Sequence, residues 1–247
     1  MPELPAIAAP RARLVAGLGL LVSAPLTAVL PYLLGSGWAG PLAAGVCAFA
    51  YLVLSRRGPR VEVVVFLLLW AAVLSGSQIA LVATFPARAA AVVPHGPAYW
   101  DEMRPYLLTG IGKESDPSRF VPEHLLHLGA FLVLAAASGG LLALVLGAYL
   151  LGYMSYYVGQ VVLLSDRPLA GAILGWHPWS LFRVAAFVVL GVSLARLLLD
   201  RPGPARWWRE ERGALAIGML LWFTDLAMKV LLSPYWAGIL RSTAGIR

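Results

Sequence analysis

Residues 124–165 read HLLHLGAFLVLAAASGGLLALVLGAYLLGYMSYYVGQVVLLS, 42 positions without an aspartate, glutamate, lysine or arginine. A helix advances about 1.5 Å per residue, so about 20 residues cross the roughly 30 Å hydrocarbon layer. The stretch is too long for one ordinary crossing and barely enough for two. Ser138-Gly139-Gly140 is its natural break, because glycine ends helices readily in the left-handed conformation.

The rest of the chain carries the same signal. Its 247 residues are 60% hydrophobic and 13% charged, with a mean hydropathy of +0.79. A soluble domain carries roughly 25% charged residues. A soluble globule, a disordered chain and a disulfide scaffold are excluded. Apolar runs occur at 14–35, 38–54, 61–84, 124–164, 179–199 and 214–240. Backbone groups in lipid must be satisfied internally, so the fold class is all-α, a polytopic integral membrane bundle. We read it as a single transmembrane domain over 1–247.

Seven crossings follow if the central run breaks at Ser138-Gly139-Gly140, and six if it is one long tilted helix. Positive charge arbitrates between them. The net charge of +7 comes from 17 arginines and two lysines, and these cluster at the ends of apolar runs. Such bracketing is the positive-inside bias rather than a nucleic-acid footprint, and no nucleic-acid partner is expected. The seven-span threading leaves nine basic residues in cytoplasmic segments and seven outside. Six spans divide them eight and eight. Arg201, Arg206, Arg209 and Arg212 then face the cytoplasm, as does the N-terminus. The first run exceeds the usual h-region of a signal peptide and lacks a clean small-residue cleavage site, so it reads as a retained helix. Cys47, the lone cysteine, sits inside the second run and reads as a core thiol.

Residues 86–122 form the largest polar segment, expected on the extracytoplasmic side. Asp101, Glu102, Glu114 and Asp116 balance Arg88, Arg104, Lys113 and Arg119 there. Tyr99, Trp100 and Tyr106 suit the headgroup layer, so a short helix lying on the membrane is expected within it.

Few polar residues remain to carry chemistry. Pro122-Glu123-His124-Leu125-Leu126-His127 reads as a helix start, with the carboxylate and both imidazoles near one side. Imidazole and carboxylate are zinc ligands, so Glu123, His124 and His127 are candidate metal ligands. Glu123 and His127 are equally candidates for proton transfer. The order matches neither H-E-x-x-H nor H-x-x-E-H. The plain alternative is a glutamate stabilised at a helix N-terminus. His95 and His177 fall on the same side, each beside proline.

Asp225 and Lys229 lie deep in MLLWFTDLAMKVLL, four residues apart, and are expected to pair along one helix face. Charges at the bilayer centre are expensive and usually face a bundle interior, so both are catalytic candidates. Arg183 reads as an interfacial anchor, Arg196 as a snorkelling residue and Glu62 as a dipole partner at the cytoplasmic edge. Gly147, Ala148, Gly152 and Ser155, with Tyr149, Tyr153, Tyr156 and Tyr157, read as a helix–helix seam.

No Walker, G-x-G-x-x-G, C-x-x-C or G-x-S-x-G motif occurs, so ATP hydrolysis, thiol redox work and elbow-type serine hydrolysis have no support. Cofactors stay unknown from the sequence. Three functions stay open. One is a transport component or a subunit of a membrane assembly. Another is an intramembrane enzyme using Glu123, His124 and His127 on a lipid, isoprenoid or membrane peptide. The last is an enzyme or proton-coupled carrier built on Asp225 and Lys229. Expected partners are the lipid bilayer, an apolar or lipid-like ligand and other membrane proteins.

Overall fold

A computed structural model describes residues 9–246. The described chain is helical, without strands: α1 (Pro10–Leu34), α2 (Ala39–Ser55), α3 (Arg60–Thr84), α4 (Pro86–Val92), α5 (Gly96–Thr109), α6 (Pro117–Ser138), α7 (Leu141–Leu164), α8 (Pro168–Gly175), α9 (Pro178–Leu199) and α10 (Pro204–Ala244). Six of these, α1, α3, α6, α7, α9 and α10, are long and apolar enough to cross a membrane. The 17-residue α2 is apolar but shorter, about 26 Å long at the helical rise.

Two ends of the bundle are marked by polar contacts. At one, which we call the arginine face, Arg13 of α1 meets Glu62 of α3 at 3.2 Å. Arg56, just after α2, meets Asp200 at 3.5 Å, and Arg60 of α3 meets Glu211 of α10 at 2.6 Å. At the opposite face Arg88 of α4 donates to the Tyr32 carbonyl of α1, and Arg241 of α10 to the Leu107 carbonyl of α5. α2 is therefore the return stroke between α1 and α3.

The central run breaks where its glycines allow it. α6 ends at Ser138, Gly139 and Gly140 adopt φ of 63° and 98°, and α7 starts at Leu141. Only glycine takes that pair of left-handed angles without strain. The hairpin tip packs at the arginine face, where a Cβ on Gly140 would stand 3.1 Å from Ala195 and Leu52. The break expected at Ser138-Gly139-Gly140 forms and the single tilted helix does not; six helices of the described residues are long and apolar enough to span, and α2 is shorter.

Several boundaries differ from the sequence reading. α6 begins at Pro117, with the Asp116 side chain accepting from the Ser118 amide, so Pro122 lies inside the helix rather than in its first turn. Asp-Pro is the stronger start signal because it supplies both cap and first-turn proline. α10 runs for 41 residues, roughly 60 Å, well beyond the hydrocarbon thickness. Its first turns, expected as a loop, stay helical because nothing after Pro204 breaks them and Arg206 pairs with Glu210 one turn on. Arg247, counted above among the basic residues, lies outside the described residues.

The segment 86–122 folds into α4, α5 and a 3-10 turn at Lys113–Ser115. The helix expected there is α5. It does more than lie on the surface, because Met103, Tyr106 and Leu107 are buried in a core with α7 and α10. Tyr106 also donates to the Ser233 carbonyl of α10 at 2.8 Å. α5 thus caps the opposite face of the bundle. Cys47 is half-buried in α2 beside the first core cluster.

Gly140→Ala should lower stability by about 1–2 kcal/mol, the cost of a left-handed non-glycine residue. Gly213→Ala, in open space within α10, should raise it by up to about 1 kcal/mol. Thermal melting of the two variants in detergent checks both signs.

Candidate functional site

Beneath α5 the bundle holds a partly open cavity of about 130 Å³. Its walls come from α3, α6, α7 and α9, with Lys229 of α10 at one end. Leu67, Trp70, Phe131, Leu144 and Val188 line an apolar length that reaches Leu52 and Gly140 near the arginine face. Glu114, Glu123, His124, His127, Arg183 and Lys229 line the other end. One side of the molecule therefore offers charge and the other hydrocarbon, within one enclosure.

The polar end is built from ion pairs joining different elements. Asp225, fully buried, accepts from Arg183 Nε and Nη2 at 3.0 Å each, a bidentate bond between α10 and α9. Lys229 Nζ meets Glu114 Oε2 at 2.8 Å and lies 4.4 Å from the Phe120 ring centroid. The expected Asp225–Lys229 pair is not the one that forms. Each residue reaches sideways to another element, Asp225 to α9 and Lys229 to the 3-10 turn. Arg183, one turn into α9, is correspondingly a bundle-interior partner rather than an interfacial anchor.

Glu114 is the residue the sequence reading passed over. It sits in the 3-10 turn, 7% exposed, and its Oε1 also accepts from Trp179 Nε1 at 3.2 Å. His177, the N-cap of α9, stands beside it with Nδ1 3.6 Å away, while Nε2 bonds Tyr157 at 3.2 Å. Burial alone would push the Glu114 carboxyl up, but the Lys229 ammonium and His177 hold it well below the usual carboxylate range. Burial drives the His177 pKa down, against the pull of Glu114. His177 is thus a buried link between α7, α9 and the 3-10 turn, and not a surface residue.

The Glu123 cluster is split by its helix. Glu123 turns outward to Lys113 at 3.0 Å, and Lys113 also holds Glu102 at 2.9 Å. His124 turns inward, 4% exposed, with Nε2 4.0 Å from Asp225 Oδ2 and without a hydrogen-bond partner. His127 is half-buried on the cavity wall. Among the described residues no three His, Cys, Asp or Glu side chains come together to hold a metal ion. Glu123, His124 and His127 therefore do not assemble as a ligand set. The two clusters read separately from the sequence, 123–127 and 225–229, do meet in one chamber.

His95 packs its ring edge-on to Tyr153, with centroids 5.4 Å apart. Glu62 is at the arginine face with Arg13, far from Asp225 in the fold. Arg196 bonds Asp200 and Glu211, both at the arginine face. The tyrosine stripe is not a single seam. Tyr149 stacks on Trp38, Tyr157 serves His177, and Tyr153 lines the cavity with Gly147.

Compared with known proteins, the chain matches no family model, no curated protein and no solved structure.

Removing one member of a buried pair leaves an uncompensated charge, which costs about 3–5 kcal/mol, whereas replacing both can be nearly neutral. Glu114→Gln and Lys229→Met should each lower melting temperature strongly, and the double variant should recover most of it. Because the folded pKa of Glu114 is depressed, its contribution is complete above the unfolded value, about 4.3, and is lost as pH falls through the lower folded value. Melting followed through that acid range should lose this component in Glu114→Gln.

Proposed function

We propose that this multi-pass protein binds an amphiphile inside its bundle, as a transport component or a subunit of a membrane assembly. The observation that carries the reading is the division of one cavity into a long apolar length and a charged end roofed by α5 and the 3-10 turn. A hydrocarbon chain fits the first, where burial releases about 25 cal/mol per Å² of apolar surface. A polar head fits the second. The expensive ion pairs are then the fixed wall of a headgroup chamber, with geometry held by several hydrogen bonds rather than by loops.

One contact favours a second reading, an intramembrane enzyme acting on a lipid, isoprenoid or membrane peptide. His124 stands beside the Asp225 carboxylate, and an imidazole so placed is a general base within reach of a bound headgroup. In that reading Asp225 orients His124, and Lys229, Glu123 and His127 complete the polar wall. Loss of turnover without loss of lipid binding in His124→Asn would distinguish it from transport.

Gly147 offers a clean test of the cavity. A Cβ there would lie 4.0 Å from Phe131, so a side chain grows into the cavity without a clash at its root. Gly147→Phe should cut binding of a fluorescent acyl probe by at least about tenfold, and Gly147→Ala should leave it near wild type. Equal binding by all three proteins would remove the amphiphile reading.

We further propose that the arginine face is cytoplasmic, with the N-terminus inside and the α5 cap outside. Four arginines within 201–212 support this orientation. Ala205→Cys in a Cys47→Ser background should resist an impermeant thiol reagent on intact cells, and Asp101→Cys should react. The reverse pattern would invert the topology.

A further inference from the structure

The charged end of the cavity is already electrically balanced. Arg183 is bound by Asp225, Lys229 by Glu114, and Lys113 by Glu123. Three cations face three carboxylates at 2.8–3.0 Å, each pair joining different elements, and Glu102, which does not line the cavity, shares Lys113. A headgroup bearing net charge would have no spare counter-charge there. It would have to strip a carboxylate from Arg183 or Lys229 in a place poor in water, which leaves the displaced group buried and uncompensated.

At the charged end of the cavity the wall residue with unpartnered polar atoms is His124, while the Trp70 indole nitrogen is unpartnered along the apolar length. His124 Nε2 is buried, lines the cavity and makes no hydrogen bond, with the nearest carboxylate oxygen 4.0 Å away. Buried polar atoms are nearly always satisfied, so this one calls for a ligand group. Neutral imidazole offers one donor and one acceptor. A hydroxyl supplies both functions whichever nitrogen holds the proton, whereas an ester carbonyl only accepts. An amine or a phosphate would add charge.

Resting on the amphiphile reading above, we propose that the ligand is an uncharged lipid alcohol. Its hydroxyl meets His124 Nε2, and its hydrocarbon runs along Phe131, Leu144 and Val188 toward Gly140. The Arg183–Asp225 and Lys229–Glu114 pairs exclude fatty acids, phospholipids and cationic lipids from the same seat by their mutual satisfaction. Arg183 and Lys229 are in this sense selectivity elements against anions rather than anion receptors.

The test uses the full chain in neutral detergent at neutral pH, with the acyl probe displaced by molecules of equal chain length. These are hexadecanol, methyl palmitate, palmitate, hexadecyl phosphate and hexadecylamine. Hexadecanol should displace the probe about tenfold more effectively than any of the other four, the worth of one buried hydrogen bond. His124→Phe should bring hexadecanol down to the level of the methyl ester, and His124→Asn, which keeps a donor and an acceptor, should restore part of the difference. A charged competitor that equals or exceeds hexadecanol would overturn the neutral headgroup, and an equally effective ester would overturn the hydroxyl. Failure of every compound, and of the probe itself, would instead overturn the amphiphile reading on which this one stands.

Discussion

An ionised group inside a bilayer must find its counter-charge within the protein, and this requirement organises the molecule. Asp225 is fully buried and Lys229 nearly so, within a helix that crosses the hydrocarbon. The arrangement that satisfies them draws Arg183 of α9 and Glu114 of the 3-10 turn to the same place. The α9–α10 contact, the seat of the turn and the closure of the bundle under α5 all depend on those two bonds. Neither pair adds much net stability over apolar packing, but each makes alternative registers costly, which is the attested use of buried charge.

The arginine face solves the same problem in a wetter setting. Arg196 and Arg60 converge on Glu211, and Arg56 and Arg196 on Asp200, where α2, α3, α9 and α10 meet. The two clusters thus pin α9 near both of its ends, and α10 near its start and at its middle. Between them lies the apolar length of the cavity, where packing alone must hold the helices. There the contacts are small-residue and aromatic, with Phe131 and Phe187 stacked at 4.5 Å and Gly218 set against Leu190. A space for hydrocarbon can persist between two pinned ends because little polar bonding crosses its middle.

The candidate site was legible in part. Asp225 and Lys229 stood out because charge within an apolar run is conspicuous, and His124 and His127 because histidines are few. Glu114 did not, since GIGKESDP has the composition of any exposed turn. Its burial comes from Trp179, His177 and Lys229, which arrive from elements more than 60 positions further along the chain. Arg183 was visible but misassigned, because a basic residue one turn inside a span has the same local signature whether it snorkels outward or bonds inward. The i,i+4 rule suggested the Asp225–Lys229 pair, and tertiary partners with bidentate or shorter geometry displaced it.

Amino-acid sequence alone determined the membrane class, the helical content, the break at Gly139-Gly140 and the grouping of arginines. Those properties depend on local hydropathy, on glycine's access to positive φ and on the cost of unsatisfied backbone in lipid, all of which are written in short windows. Only the tertiary structure decided which carboxylate meets which cation, which face of α6 turns inward, and that 123–127 and 225–229 share a chamber. Those outcomes depend on helix rotation and on which elements become neighbours. In a bundle of uniformly apolar helices, rotation is chosen by the few polar side chains acting together, and no window of sequence contains more than a few of them.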